Sequence, residues 1–208
     1  MGELEIPTDS SGAPLPASLE GYFLVSETEL TDPNFHRTVV LIISHNPEGA
    51  FGLVVNRKAD ITLGDLVGGL DDEPIAEQPV YIGGPVEQHY LFTVHSGFPD
   101  EAESPYAVRP APGIVFEPVF QAMESYLRGA WSQQAAATRP RVCFYLGYAG
   151  WGPGQLEQEL AANAWLVIPA EPQIVFHPNP EEGWNSALSR KGGIYQVIAQ
   201  TGFKPSMN

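Results

Sequence analysis

"TVVLIISH" at residues 38–45 and "AFGLVVN" at residues 50–56, joined by "NPEG" at 46–49, form the stretch that decides the fold. Both runs are rich in β-branched residues, while Pro47 and Gly49 suit the second position and the end of a type I turn. This pattern predicts a β-hairpin. Because residues 39–43 are all apolar and do not alternate with polar residues, we expect the first strand to be covered on both faces.

The rest of the chain mixes short strand patterns with fewer helical ones. In "PVFQAMESYLRGAW" at 118–131, apolar residues recur at spacings of three and four, which predicts an amphipathic helix. "RVCFYLGY" at 141–148 has the pattern of a strand. Several hairpin-linked strands beside a few helices indicate an α+β fold rather than a regular βαβ array.

Two parts of the chain differ in composition. Residues 1–20 contain several prolines and serines without apolar periodicity, which predicts a flexible N-terminal arm. Residues 21–208 have the length and composition of a single domain. The sequence therefore predicts an arm followed by one α+β domain.

The charge balance disfavours nucleic acid as a direct partner. The chain has 25 Asp and Glu against 10 Lys and Arg, a formal net charge of −15. Its tightest basic groups are pairs: Arg57 with Lys58, Arg139 with Arg141, and Arg190 with Lys191. Binding to a polyanion draws on larger clusters of basic residues, although folding could still gather these pairs on one face.

The compartment is predicted from cysteine usage and from the start of the chain. Cys143 is the only cysteine, which is typical of a reducing compartment. Its alternating apolar neighbours indicate a small buried residue with an unreactive thiol. The first residues lack the pattern of a signal peptide, and the apolar run 39–43 is far shorter than the roughly 20 residues of a membrane span. We expect a cytoplasmic protein without a membrane contact.

The segment "GYAGWGPGQLEQEL" at 147–160 raises the question of a phosphate site. Its glycines fit neither common phosphate-binding pattern, and Glu157 and Glu159 already complement the positive end of the following helix. We therefore expect a tight strand-to-helix turn, with Pro153 opening the helix, and no bound phosphate. Tyr148 and Trp151 are either aromatic plugs of the core or a surface that faces a partner.

No catalytic or metal-binding constellation stands out. The five histidines lack the short spacing of a metal-binding pair, and no G-x-S-x-G pattern is present. His45, at the end of the first hairpin strand, is either a general base or a turn-capping residue. The sequence therefore assigns no catalytic residue, no cofactor and no metal.

Four stretches together resemble one protein family: residues 23–57, "GGPV" at 83–86, "YLGYAGWGPGQLEQEL" at 145–160 and "NAWLVIPA" at 163–170. In this order and spacing they resemble the YqgE/AlgH family of bacterial proteins, over about residues 21–202, nearly the whole chain. The resemblance implies an α+β fold with a bifurcated, partly barrel-like β-sheet surrounded by helices. The family is uncharacterised and carries a transcriptional-regulator label, with which the strongly negative charge conflicts.

We therefore expect a non-enzymatic binding or regulatory domain whose partner, a protein or a small molecule, is unknown. Its candidate binding surface consists of His45, Asn46, Gly147, Tyr148, Gly150, Trp151 and Gly152. The alternative is a small-molecule-binding protein or an enzyme that uses His45 and the glycine segment 147–154 as an anion or oxyanion site.

Overall fold

The computed structural model describes residues 14–27, 35–70 and 73–201 of the chain. The strands in these ranges are β1 (Tyr22–Ser26), β2 (Val39–Asn46), β3 (Gly49–Val54), β4 (Lys58–Thr62), β5 (Pro79–Ile82), β6 (Val86–His95), β7 (Val108–Ala111), β8 (Ile114–Glu117), β9 (Val142–Trp151) and β10 (Trp165–Pro169). The helices are α1 (Phe120–Tyr126), α2 (Gln155–Ala161), α3 (Pro172–Val175), α4 (Gly183–Lys191) and α5 (Ile194–Thr201). A π-helical turn, Leu127–Trp131, extends α1.

The strands form one sheet that forks at β9. The main path runs β10-β1-β2-β3-β9-β6-β8-β7. Strand β9 pairs with β6 through residues 142–148, with β5 through 144–146 and with β3 through 149–151. The β5 pairing is parallel, and β5 also pairs with β4. The predicted hairpin is present as β2 and β3, and the α+β class with a bifurcated sheet is confirmed.

The sheet also curls until its β7 end approaches β2, which makes it partly barrel-like. At this closure Gly21 has a φ of +77°, and a Cβ atom there would lie 2.1 Å from the carbonyl oxygen of Pro110. Only glycine fits such a close approach of two backbones without a shift of one of them. The curled sheet therefore encloses a core on its inner side.

Apolar layers cover both faces of the central strands. From β2, Val39, Leu41 and Ile43 enter the core inside the curl, whereas Val40 and Ile42 pack on the opposite side with residues of α2. All five side chains are buried, which confirms the prediction of a strand covered on both faces. A third apolar cluster lies between α1 and the β5–β9 side of the sheet. Because side chains alternate along a strand, an unbroken apolar run supplies both layers at once.

The glycine segment differs from the predicted strand-to-helix turn. Strand β9 continues to Trp151, and the turn occupies only residues 152–154 before α2 begins at Gln155. The strand continues because β3 pairs with residues 149–151, and Ala149 and Trp151 both pack into the apolar layer beneath α2. Gly147 has a φ of +69°, and a Cβ there would lie 2.7 Å from two backbone carbonyl oxygens. This glycine serves close strand packing.

Part of the predicted arm lies outside the described residues. Residues 1–13 belong to that part, so the flexible arm stays a prediction there. Within residues 14–20, Leu19 is buried in the apolar layer beneath α2, and its backbone amide bonds to His45. These contacts hold the segment just before β1 against the sheet.

Candidate functional site

The predicted surface residues come together at one end of three neighbouring strands. His45 on β2 lies opposite Ala50 on β3, and Ala50 lies opposite Trp151 on β9. Asn46 ends β2, and its side-chain oxygen accepts a hydrogen bond from the Glu48 amide in the hairpin turn. The two segments are more than 100 residues apart in sequence, and strand pairing brings them side by side.

Both ring nitrogens of His45 are occupied. Nδ1 lies 3.0 Å from the backbone nitrogen of Leu19, and Nε2 lies 2.9 Å from Oε1 of Glu157 on α2. Because a backbone N–H can only donate, Nδ1 accepts and the ring proton sits on Nε2, directed at the carboxylate. The side chain is only 6% exposed. His45 thus fastens the segment before β1 and helix α2 to the end of β2, with no nitrogen left for a general base.

Trp151 belongs to the core. Its ring is buried, and its indole N–H donates to Oε2 of Glu159 at 2.9 Å. The same carboxylate oxygen accepts the indole N–H of Trp165 at 2.8 Å. The two indole rings also meet edge to face, with Phe35 packed against both. Of the two alternatives for Trp151, the structure shows a side chain packed in the core and not one that faces a partner.

Tyr148 begins a row of aromatic rings that leads from the core to the surface. Its ring centre lies 4.8 Å from that of Phe51, which lies 5.7 Å from that of Phe92, and Phe92 lies 6.4 Å from Tyr90. We call these four residues the aromatic stripe. Tyr148, Phe51 and Phe92 are half-buried, whereas Tyr90 is 55% exposed.

The glycines of the predicted surface take different positions. Gly147 is buried beneath β6, whereas Gly150 and Gly152 are exposed. A Cβ at Gly150 would lie 3.0 Å from the Tyr148 ring, so this glycine leaves room for that ring. A Cβ at Gly152 would meet nothing within 4 Å.

The sequence did not indicate a bulge in β6 beside the stripe. Between the pairs Val86 with Tyr148 and Leu91 with Leu146, the four residues 87–90 stand opposite the single residue Gly147. All four bulge residues are exposed. Tyr90 also lines a groove of about 690 Å³, together with Leu66, Val67 and Phe120. The only local signal is the polar run "EQH" at 87–89, because the missing pairing depends on a distant strand.

A second histidine, His95, lies in a fully buried polar cluster. Its ring stacks on Phe98 at 3.7 Å, and Nδ1 accepts the Gly97 amide at 3.2 Å. Burial, with a smaller effect of Arg109, lowers the pKa of His95 to about 4. Oε1 of the buried Glu117 lies 3.8 Å from Nε2.

The serine of that cluster is not set up for nucleophilic catalysis. The Ser104 hydroxyl donates to Oε2 of Glu117 at 2.5 Å, and its amide donates to Oε1 at 2.9 Å. A serine nucleophile is activated by a hydrogen bond to a base that takes its proton, normally a histidine. Here Ser104 and Glu117 form hydrogen bonds to each other inside the core. The arrangement stabilises the fold and does not activate the serine.

Two further features of the described residues bear on function. They contain no group of three or more His, Cys, Asp or Glu side chains placed to hold a metal ion. None of their helices combines the length and the hydropathy needed to span a bilayer.

The sheet is curled, forks at one long strand, packs against helices through its apolar layers and carries the aromatic stripe. These features define the class as an α+β protein of the AlgH-like fold. The family model described as AlgH-like matches residues 23–196, and the chain belongs to this family. The resemblance stated from the sequence is thereby confirmed.

The relatives are bacterial proteins that align over most of their length. The chain is 37% identical to a UPF0301 protein of Ralstonia nicotianae, over 85% of this chain and 90% of that one. It is 39% identical to a UPF0301 protein of Hahella chejuensis, over 88% and 94%.

Two solved structures share the fold. The solution structure of the AlgH protein from Pseudomonas aeruginosa has a TM-score of 0.69 and 29% identity, and the match covers 93% of this chain and 98% of that one. A crystal structure of a Corynebacterium diphtheriae protein has a TM-score of 0.72, with coverage of 91% and 95%. At 23% identity, this second likeness concerns the fold alone.

Proposed function

We propose that this protein is a non-enzymatic binding protein that holds a protein partner on the aromatic stripe and the adjoining β6 bulge. The observation that carries the proposal is the stripe itself. It starts at Tyr148, within the predicted surface, and ends at Tyr90, a large ring that is more than half exposed. Tyrosines of this kind are enriched among the residues that dominate binding at protein interfaces.

Binding is favoured over catalysis by the state of His45. An enzyme built on this residue needs a ring nitrogen within reach of a substrate proton. Both nitrogens instead bond to the protein itself, one to Leu19 and one to Glu157. The alternative of an enzyme or small-molecule site on His45 and the glycine segment therefore has less support than a binding surface.

The charge and shape of the surface indicate what kind of partner it fits. Apolar side chains, including Leu66 and Tyr90, line the groove beside the bulge, and Glu87 is an exposed carboxylate within the bulge. The whole chain carries a formal charge of −15, which attracts basic partners and repels acidic ones. We infer a polypeptide segment that combines apolar side chains with flanking Lys or Arg. A regulatory role would act through this partner and not through direct contact with DNA.

Site-specific photo-cross-linking in cells tests this proposal. A photoreactive phenylalanine analogue replaces Tyr90 in one variant and Tyr106 in the other. Tyr106 is a matched control because it is also an exposed tyrosine, at 67%, and lies outside the stripe. We expect a discrete adduct from position 90 and none from position 106, with the cross-linked peptide of the partner rich in apolar and basic residues.

Three other cross-linking results would contradict the proposal. An adduct at twice the mass of the chain would replace the foreign partner with a second copy. Equal adducts from both positions would mean non-selective contact, and the absence of any adduct from position 90 would leave the stripe without a partner.

A further inference from the structure

A pocket away from the aromatic stripe is lined by two arginines and by no acidic residue. It has a volume of about 350 Å³ and lies between the start of β9, the π-helical turn after α1 and the segment that follows α3. Arg139, Arg141 and His177 line it, together with Tyr81 and Cys143. None of its lining side chains, all within the described residues, is Asp or Glu. In a chain with a net charge of −15, this is an unusual local composition.

Three other arginines pair with a carboxylate. Arg109 pairs with Glu103, Arg128 pairs with Glu124, and Arg190 pairs with Glu171. In the described part of the chain, Arg139 and Arg141 have no carboxylate within ion-pair distance. Each of their guanidinium groups packs against an aromatic ring.

The aromatic rings hold both guanidinium groups by their faces. The Cζ atom of Arg139 lies 4.5 Å from the centre of the Trp131 ring, and that of Arg141 lies 4.7 Å from the centre of the Phe176 ring. Stacking uses the flat face of a guanidinium and leaves the N–H groups at its edge free to donate in the plane. Nε of Arg139 is buried without a hydrogen-bond partner. Such a donor is costly unless an acceptor reaches it.

The surroundings of the two arginines are fixed before any ligand arrives. The indole N–H of Trp131 donates to the carbonyl of Pro140 at 2.7 Å, between the two arginines in sequence. The amide of Arg141 donates to the Ser96 hydroxyl at 2.9 Å. A prearranged site loses less entropy on binding than one that must first order its side chains.

The buried lining of the pocket adds no negative charge near neutral pH. Burial raises the pKa of the Cys143 thiol to about 12 and also raises the pKa of the Tyr81 hydroxyl. Both groups are therefore neutral. An anion that enters the pocket meets two guanidinium groups and no opposing carboxylate in the lining.

We propose that this pocket binds a small organic anion, a carboxylate or a phosphate ester, with its charged oxygens on Arg139 and Arg141 and its apolar part against exposed apolar side chains of the lining such as Ala136 and Pro178. The paired N–H groups of a guanidinium match the two oxygens of either anion. The volume lies within the usual range of roughly 300 to 1,000 Å³ for small-molecule sites. This site is independent of the stripe and does not rest on the proposed protein partner.

The test uses three probes that share a phenyl ring: benzoate, phenyl phosphate and the neutral benzamide. Binding is followed in the full chain by nuclear magnetic resonance, through the indole N–H signals of the four tryptophans. We expect a saturable shift of the Trp131 signal with one or both anions and none with benzamide. The stronger of the two anions distinguishes a carboxylate site from a phosphate site.

Charge-neutral variants complete the test. R139Q and R141Q should each weaken anion binding by about tenfold or more, because each removes a charge-assisted hydrogen bond. R190Q is the matched control, since it removes the same charge from an arginine that pairs with Glu171 elsewhere. It should bind like the unchanged protein.

The proposal is overturned if neither anion gives a saturable shift, if benzamide binds as well as benzoate, or if R190Q weakens binding as much as R139Q. Should R139Q or R141Q fail to fold, competition by inorganic phosphate in the unchanged chain replaces them. Phosphate should then displace the bound anion, and failure to do so counts against an oxyanion site.

Discussion

Replacement of Glu159 by alanine should destabilise the protein strongly, because one carboxylate serves two buried indoles. Its Oε2 accepts the N–H groups of Trp151 and Trp165 at 2.9 and 2.8 Å. The variant E159A leaves two donors without this acceptor in a largely buried setting. At about 1.5 kcal/mol for each lost charge-assisted bond, the expected loss is about 3 kcal/mol of the free energy of unfolding. For a chain of this size that corresponds to a fall in Tm of about 6 to 12 °C.

The assay is urea unfolding together with the indole N–H spectrum. E159Q keeps a side-chain oxygen in place without the charge, so it should lose less than E159A. Glu101 is an exposed carboxylate in a short 3₁₀ turn, and E101A is the control, expected within about 0.5 kcal/mol of the unchanged protein. In E159A the signals of Trp151 and Trp165 should move together. A loss of less than about 1 kcal/mol in the free energy of unfolding, or an unchanged spectrum, would refute the reasoning that the Glu159 carboxylate stabilises both buried indoles.

Three further predictions follow from single residues. His95 stays neutral in the folded protein down to about pH 4, whereas an unfolded histidine protonates near 6.5. Protons therefore bind the unfolded chain more tightly than the folded one. The free energy of unfolding should fall on the order of 3 kcal/mol as the pH drops from 6.5 to 4. Urea unfolding at several pH values measures this change. G147A should cost about 3 kcal/mol or more, because its Cβ would lie 2.7 Å from two carbonyl oxygens at a φ of +69°. The Cys143 thiol should not react with a thiol reagent at pH 8 until the protein unfolds, because burial raises its pKa to about 12.

Each of these predictions has a control in the same chain. H95Q should flatten the pH dependence of stability, while H89Q should not, because the His89 side chain is 74% exposed. G152A should be close to neutral, since its Cβ would meet nothing within 4 Å. Equal losses for G147A and G152A, equal slopes for both histidine variants, or rapid labelling of the folded protein would each contradict the corresponding reasoning.

Part of the candidate site could be predicted from the sequence. The hairpin of residues 39–54 and the glycine segment 147–152 were both identified, and β3 joins them as neighbours. The bulge at 87–90 and the outward path to Tyr90 could not be predicted, because they depend on how β6 pairs with a strand about 55 residues away. The same holds for the partners of His45, which come from before β1 and from α2.

The sequence by itself determined features that depend on neighbouring residues. The unbroken apolar run of β2 dictates burial on both faces, the alternation around Cys143 dictates a buried thiol, and the long motifs identify the family. Only the tertiary structure decided where β9 ends, because an extended glycine-rich segment becomes a strand when a partner such as β3 supplies its hydrogen bonds. Likewise, Arg139 and Arg141 appear in the sequence as one more basic pair. Folding makes them different from the arginines that pair with a carboxylate, because it places aromatic rings against them and leaves carboxylates out of the pocket they line.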